Sequence, residues 1–178
     1  MTELVSNILD MSRIESGTRG VEREICHMAD IVQDALRRTL GSRHGFGRSI
    51  TAEIPSDLPE MYADPGQLGR VLDNLLSNAM KYTAGKVQVV NSYNKDTDTI
   101  RTEVIDHGEG IPASQHLEIF DKFYRLREGN ARGREGSGLG LAICKSVIGA
   151  HGGNIGVTNN SQGGATFWFE FPRDPDQA

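Results

Sequence analysis

Asp64-Pro65-Gly66-Gln67-Leu68-Gly69-Arg70-Val71-Leu72-Asp73-Asn74-Leu75-Leu76-Ser77-Asn78-Ala79-Met80-Lys81-Tyr82 is the stretch on which the fold turns. Asp64 is an N-cap residue, Pro65 occupies the first helical position, and Gln67 stands three residues after the cap, the pattern of a capping box. At about 100° per residue, Leu68, Val71, Leu72, Leu75, Leu76 and Ala79 share an arc about 140° wide. One face of this helix therefore packs on something apolar. Gln67, Asn74, Asn78 and Lys81 form a second stripe along the edge of that face.

Working outward, residues 28–40 carry Ile31, Val32, Ala35, Leu36 and Leu40 at helical spacing, and the chain breaks over 43–47. Residues 49–54 and 61–63 read as short strands split by Pro55 and Pro59. Residues 86–93 and 99–106 alternate as paired strands around the polar turn 94–98. Residues 137–150 read as helix, and 154–158 and 165–171 as strands joined by 159–164. About six strands and three helices imply an α+β fold, a two-layer α/β sandwich with helices on one face of a mixed, mostly antiparallel sheet. Residues 3–16 add a helical stripe of Leu4, Ile8, Met11 and Ile14, ended by Gly17. It reads either as the cut tail of a helical hairpin or coiled coil, or as a helix packed on its own domain.

The chain has 178 residues and is 37% hydrophobic, enough for a substantial core. Its net charge of −5 argues against a protein that works by coating nucleic acid or anionic lipid. Cys26 and Cys144, each in a stretch that reads as helix, are expected as reduced thiols, which favours a cytoplasmic setting. No run approaches 18 apolar residues, and the start lacks the blocks of a signal peptide.

The amide stripe has two readings. Its amides either hydrogen-bond neighbouring loops, or serve a metal and phosphate site in which amide oxygens are hard neutral ligands for Mg²⁺ and the Lys81 ammonium neutralises a phosphate oxygen. In Ile105-Asp106-His107-Gly108-Glu109-Gly110-Ile111, strand parity puts Asp106 on the side of Ile100 and Val104. A buried carboxylate needs donors, and the amine of adenine is one. Gly108 and Gly110 allow a flat base to approach the backbone, although a plain turn after a strand reads the same way. Residues 118–125 place aromatics at a bend, and 126–135 are polar, glycine-broken and arginine-rich, as in a mobile lid. Gly136-Ser137-Gly138-Leu139-Gly140-Leu141 then runs into a helix whose N–H groups suit phosphates. The spacing fits neither a P-loop nor a dinucleotide fingerprint.

Taken together, residues 74–82 resemble the N box of sensor histidine kinases, Asp106-x-Gly108-x-Gly110 the G1 box, 120–125 the F box, and Gly136-x-Gly138-x-Gly140-Leu141 the G2 box. The resemblance covers about residues 20–172, and 9–17 look like the end of the second helix of the family's dimerisation hairpin. It implies a truncated hairpin helix over 1–17 and a catalytic and ATP-binding domain over 18–178, in the Bergerat fold. It further implies Asn74 and Asn78 at Mg²⁺, Asn74 and Lys81 in catalysis with Lys81 at phosphate, and Asp106 on adenine. Tyr82, Gly108, Gly110, Ile111, Lys122, Phe123, Arg134, Gly136, Ser137, Gly138, Leu139, Gly140 and Leu141 line the nucleotide site on the same reading, with Thr166 as a further contact.

The implied activity is transfer of the ATP γ-phosphoryl group to a histidine on a dimerisation domain of the same parent protein, for relay to a response regulator. The implied setting is cytoplasmic, compatible with a membrane-anchored parent, with a homodimer through the N-terminal helix and no nucleic-acid partner. Two departures stand out. None of His27, His44, His107, His116 and His151 has the neighbourhood of a phosphoacceptor, and each is expected as an ordinary surface or loop histidine. Gln162-Gly163-Gly164-Ala165-Thr166-Phe167 also lacks the first glycine of the family's Gly-x-Gly-Thr-x-Phe. Chaperone and mismatch-repair relatives carry a water-activating glutamate four residues before the metal-binding asparagine, where this chain has Asn74. A degenerate domain that only regulates a partner is the remaining alternative, against which the intact boxes argue.

Overall fold

The computed structural model describes residues 20–42, 49–83, 85–125 and 137–174. Its elements run β1 (Glu24–Cys26), α1 (Met28–Leu40), β2 (Ile50–Glu53), β3 (Met61–Ala63), α2 (Pro65–Tyr82), β4 (Val87–Asn94) and β5 (Thr99–Ile105). Two 3₁₀ turns follow at Ala113–Gln115 and Glu118–Phe120, then α3 (Gly140–Ala150), β6 (Asn154–Asn159) and β7 (Ala165–Pro172). The expected N-terminal helix, the break at 43–47 and the lid at 126–136, with Arg134 and Gly136, lie outside the described residues.

Alternation builds the main sheet. Ile100, Thr102 and Val104 on β5 and Ala165, Phe167, Phe169 and Phe171 on β7 are buried, and the residues between them are half-buried. The strands lie in the order β2-β4-β5-β7-β6, antiparallel throughout except for the parallel β2–β4 pair. The buried face packs in one apolar cluster with all three helices. On the other face the Arg101 guanidinium sits 4.2 Å from the Trp168 ring centroid and bonds Glu103 and Glu170. One covered and one wetter face is how an antiparallel sheet becomes half of a two-layer sandwich.

β1 was not legible in the sequence. It pairs antiparallel with β3 in a separate two-stranded sheet, so Cys26 sits in a strand rather than the expected helix, because three residues carry too little pattern to read. Burial raises the Cys26 thiol to about 11 and the fully buried Cys144 thiol to about 12, and both are free. The buried stripe of α1 is Met28, Ile31, Val32, Ala35 and Thr39; Leu36 is half-buried and Leu40 exposed, because the last turn runs past the edge of the core. α3 begins at Gly140 rather than 137, because Gly138 holds φ +70°, a left-handed conformation that cannot start a right-handed helix.

The cap on α2 forms as read, with one change of partner. Asp64 Oδ1 accepts the Gln67 N–H at 2.9 Å, but the Gln67 amide donates to Asp64 Oδ2 at 2.9 Å instead of turning back to the cap's backbone. The Asp64 N–H goes to His151 Nε2 at 3.1 Å. His151, expected at the surface or in a loop, is completely buried at the end of α3. Its Nδ1 meets the Val147 carbonyl at 2.8 Å, so Nδ1 carries the proton and Nε2 accepts. Burial holds its pKa below the ordinary value.

Candidate functional site

Leu68, Val71, Leu72, Leu75, Leu76 and Ala79 are all buried, whereas Gln67, Asn74, Asn78 and Lys81 are half-buried. The polar stripe thus lies at the lip of the core. Gln67 is committed to the cap, which leaves Asn74, Asn78 and Lys81 for other work. A Cβ on Gly140 would stand 2.9 Å from Asn74 Oδ1, so the start of α3 lies directly against the asparagine. Helix first turns carry backbone N–H groups without intrahelical acceptors, together with a partial positive charge.

The second wall follows β5. Asp106 is 4% exposed. Its Oδ1 accepts the Gly108 N–H at 2.8 Å and the Ala165 N–H at 3.3 Å, which leaves Oδ2 as the oxygen to meet an incoming donor. A Cβ on Gly108 would lie 3.0 Å from the Tyr82 carbonyl, so the end of α2 and this loop are in contact and Tyr82, itself exposed, stands beside it. Gly110 has φ +71°, and a Cβ there would come 2.9 Å from the Gly163 carbonyl. His107 is exposed, its Nδ1 3.1 Å from the Lys86 carbonyl.

Two residues that sequence reasoning missed, Asn159 and Asn160, bind this loop from the end of β6. The Asn159 amide pairs with both the N–H and the carbonyl of Ile111, each at 2.8 Å. Asn160 donates to the Asp106 carbonyl at 2.8 Å and accepts the Gln162 and Gly164 N–H groups at 3.1 Å each. Their only signal in the sequence is an asparagine pair entering a glycine-rich turn, which by itself predicts a turn and nothing more.

The third wall joins the aromatic bend to the glycine-rich run. Phe123, with φ +62°, donates its N–H to the Gly138 carbonyl at 2.9 Å. A Cβ on Gly138 would lie 2.9 Å from the Phe123 backbone, closer than real Cβ atoms come. Lys122 and Phe123 are exposed, and Phe120 is buried.

The remaining expected site residues divide. Ile111 and Leu139 are buried, so their side chains serve the core; the Leu139 N–H meets Ser137 Oγ at 3.3 Å. Ser137 and Leu141 are half-buried at the start of α3. Thr166 is directly opposite Ile105 and Thr158, on the sheet face away from the helices and away from the inward row that Asp106 continues. Ala165, one residue earlier, faces inward and supplies the N–H to Asp106.

The described residues thus bring together a buried carboxylate with one oxygen to spare, two amides and an ammonium along a helix, and a second helix start. No group of three or more His, Cys, Asp or Glu side chains that could hold a metal gathers among them; the hard neutral oxygens the stripe offers are those of its amides.

Known proteins resemble this chain in sequence and in fold. Residues 63–175 match the family described as histidine kinase-, DNA gyrase B-, and HSP90-like ATPase. The chain is 36% identical over 172 residues to the sensor protein KdpD of Escherichia coli (strain K12), covering 97% of the chain and 19% of that protein. It is 40% identical over 130 residues to the adaptive-response sensory kinase SasA of Nostoc sp. (strain PCC 7120), covering 72% of the chain and 32% of that protein. It therefore spans only a fifth to a third of these relatives. Among solved structures, full-length ShkA in complex with AMPPNP superposes with a TM-score of 0.82 at 30% identity, over 96% of this chain and 35% of that one. The nucleotide-free catalytic domain of histidine kinase ThkA gives 0.76 at 25% identity, over 88% of this chain and 99% of that one.

Proposed function

Because the chain belongs to the histidine kinase-, DNA gyrase B-, and HSP90-like ATPase family, we propose that it is the ATP-binding catalytic part of a sensor histidine kinase, transferring the γ-phosphoryl group of ATP to a histidine on a dimerisation domain of the same parent protein. A response regulator then receives the group. The observation that carries the reading is Asp106: a carboxylate buried at the end of a strand, held by two N–H groups through one oxygen, beside a glycine loop and the amide-bearing helix. Adenine has an amine for Oδ2, whereas guanine offers an acceptor there and is repelled.

Asn74 and Asn78 hold Mg²⁺, with Lys81 against a phosphate oxygen. When bound, that ion neutralises charge on the phosphate oxygens. The residues of the chain otherwise work by positioning, since phosphoryl transfer asks little covalent chemistry of the protein. Asn74 occupies the place where water-splitting relatives carry a glutamate, so ATP held here lacks a base for hydrolysis. The segment 1–17 belongs to the dimerisation hairpin and supports a homodimer, and the catalytic part works on the cytoplasmic side. Among the described residues no helix is long and apolar enough to cross a membrane.

The test is transfer of labelled γ-phosphate. The chain alone should bind ATP without labelling itself, and should label a supplied hairpin domain that carries its histidine. Asp106→Asn should weaken ATP binding strongly. Equal affinity for ATP and GTP, or stable labelling of one of the chain's own five histidines, contradicts the proposal.

A further inference from the structure

A carboxylate that reads a base is only as selective as its placement, and most of what places Asp106 comes from distant sequence. One of its Oδ1 donors is local, the Gly108 N–H; the other, Ala165, is 59 residues away. Its own backbone is held from the same distant strand, with the Asp106 N–H on the Ala165 carbonyl at 2.9 Å. The link that ties these parts together is the pair at the end of β6. Asn160 donates to the Asp106 carbonyl and with its oxygen gathers the Gln162 and Gly164 N–H groups, setting the turn that delivers Ala165. Gly164 fits this packing only without a side chain, because a Cβ there would fall 2.1 Å from the Asp106 carbonyl. Asn159 fixes the other end of the loop, pairing with Ile111 in the manner of one rung of a sheet.

We propose that Asn159 and Asn160 are positioning residues for base recognition: acting through the Asp106–Ile111 loop, they orient the free carboxylate oxygen and so set affinity for ATP over GTP. The inference rests on the reading of Asp106 as the acceptor for the adenine amine. Asn160 carries more of the effect, because its bonds reach both the acidic residue itself and the turn that supplies its second donor. Asn159 governs the far end of the loop, five residues on, and has the smaller effect.

The experiment is calorimetric titration of the full chain with Mg·ATP and Mg·GTP, alongside urea denaturation of each variant. Asn160→Ala should weaken ATP about tenfold, the equivalent of one to two hydrogen bonds, while GTP changes little, so the ATP/GTP ratio collapses. Asn160→Asp separates the two roles: it keeps acceptors for Gln162 and Gly164 but places a second acceptor against the Asp106 carbonyl. Its ratio should fall as far as that of the alanine variant with a smaller loss of stability. The added charge acts equally on both triphosphates and cancels in the ratio. A merely structural role lowers stability and the active fraction together and leaves the ratio intact.

Wild-type preference for ATP together with an unchanged ratio in both Asn160 variants overturns the inference and spares the functional reading. Absence of any ATP preference in the wild type overturns both. A reduced ratio in Asn160→Asp with near wild-type stability supports the inference even where Asn160→Ala fails to fold. Transfer to a hairpin domain at saturating ATP should run at the wild-type rate in Asn160→Asp, so that KM moves and kcat does not.

Discussion

Gly140→Ala sets stability and function against each other. The Cβ it adds lands 2.9 Å from Asn74 Oδ1, where ordinary contact begins at 3.4 Å, so the amide has to withdraw by about 0.5 Å. Backbone does not have to move, since the atom met is the end of a side chain. Alanine in place of glycine favours a helix by up to about 1 kcal/mol, less in the first turn where Gly140 sits. Pushing Asn74 off its rotamer costs about 0.5–1.5 kcal/mol. The two nearly cancel, and denaturation should show stability within about 1 kcal/mol of wild type. Nucleotide binding has no such compensation. If Asn74 ligates the nucleotide-borne metal, calorimetry should show ATP bound about tenfold more weakly, a loss of about 1.4 kcal/mol. A double-mutant cycle isolates the cause: once Asn74→Ala has removed the amide, adding Gly140→Ala should cost no further affinity. Unchanged ATP affinity in the single variant would refute the role given to Asn74. An equal further loss in the double variant would refute the steric argument.

Two further outcomes concern the frame of the site. Asp64→Ala removes the acceptor for the Gln67 N–H and also for the Glu22 N–H at 3.1 Å, and should cost about 1–2 kcal/mol by chemical denaturation; Asp64→Asn should recover most of it, and a loss below about 0.3 kcal/mol would show that the cap is idle. His151 titrates in the unfolded chain near its ordinary 6.5 but lower when folded, held down first by burial, so its contribution is complete above that value and is lost as pH falls from there toward the folded pKa. Asp98, kept below the usual carboxylate range by its bonds to Arg173 and Tyr93, stays ionised through this window. Urea midpoints between about pH 7.5 and 5.5 should fall more steeply for wild type than for the non-titrating His151→Gln, and parallel slopes would remove His151 from the account.

Much of the molecule was legible because its signals are local. The cap, the apolar arc of α2 and its polar lip follow from a period of 3.6, and the buried rows of β5 and β7 follow from a period of two. What was missed acts over distance or through backbone. β1 exists only as the partner of β3, and nothing in Glu24-Ile25-Cys26 announces it. Asn159 and Asn160 act on backbone groups 48 and 54 residues away, and His151 on one 87 residues away, which no reading of neighbours reveals. The face of Thr166, expected as a nucleotide contact, was open to the same count: stepping back by two from Phe171, Phe169 and Phe167 reaches Ala165 and leaves the threonine on the far face.

The two bonds that Asp106 Oδ1 receives also make the carboxylate a proofreader of its own fold. One donor is in place as soon as the loop after β5 closes; the other arrives only when β7 has docked beside β5 across 59 residues of chain. Contacts of such separation form late, because loop closure has to be completed before they stabilise anything. If Asp106 reads the base as proposed, a chain whose last hairpin has not docked lacks a finished base site, and nucleotide selects the completed molecule, adding RT ln(1 + [L]/Kd) to its stability and nothing to that of its precursors. At ligand concentrations about a hundredfold above Kd this amounts to about 2.7 kcal/mol, reserved for molecules in which every strand of the sheet is already in register.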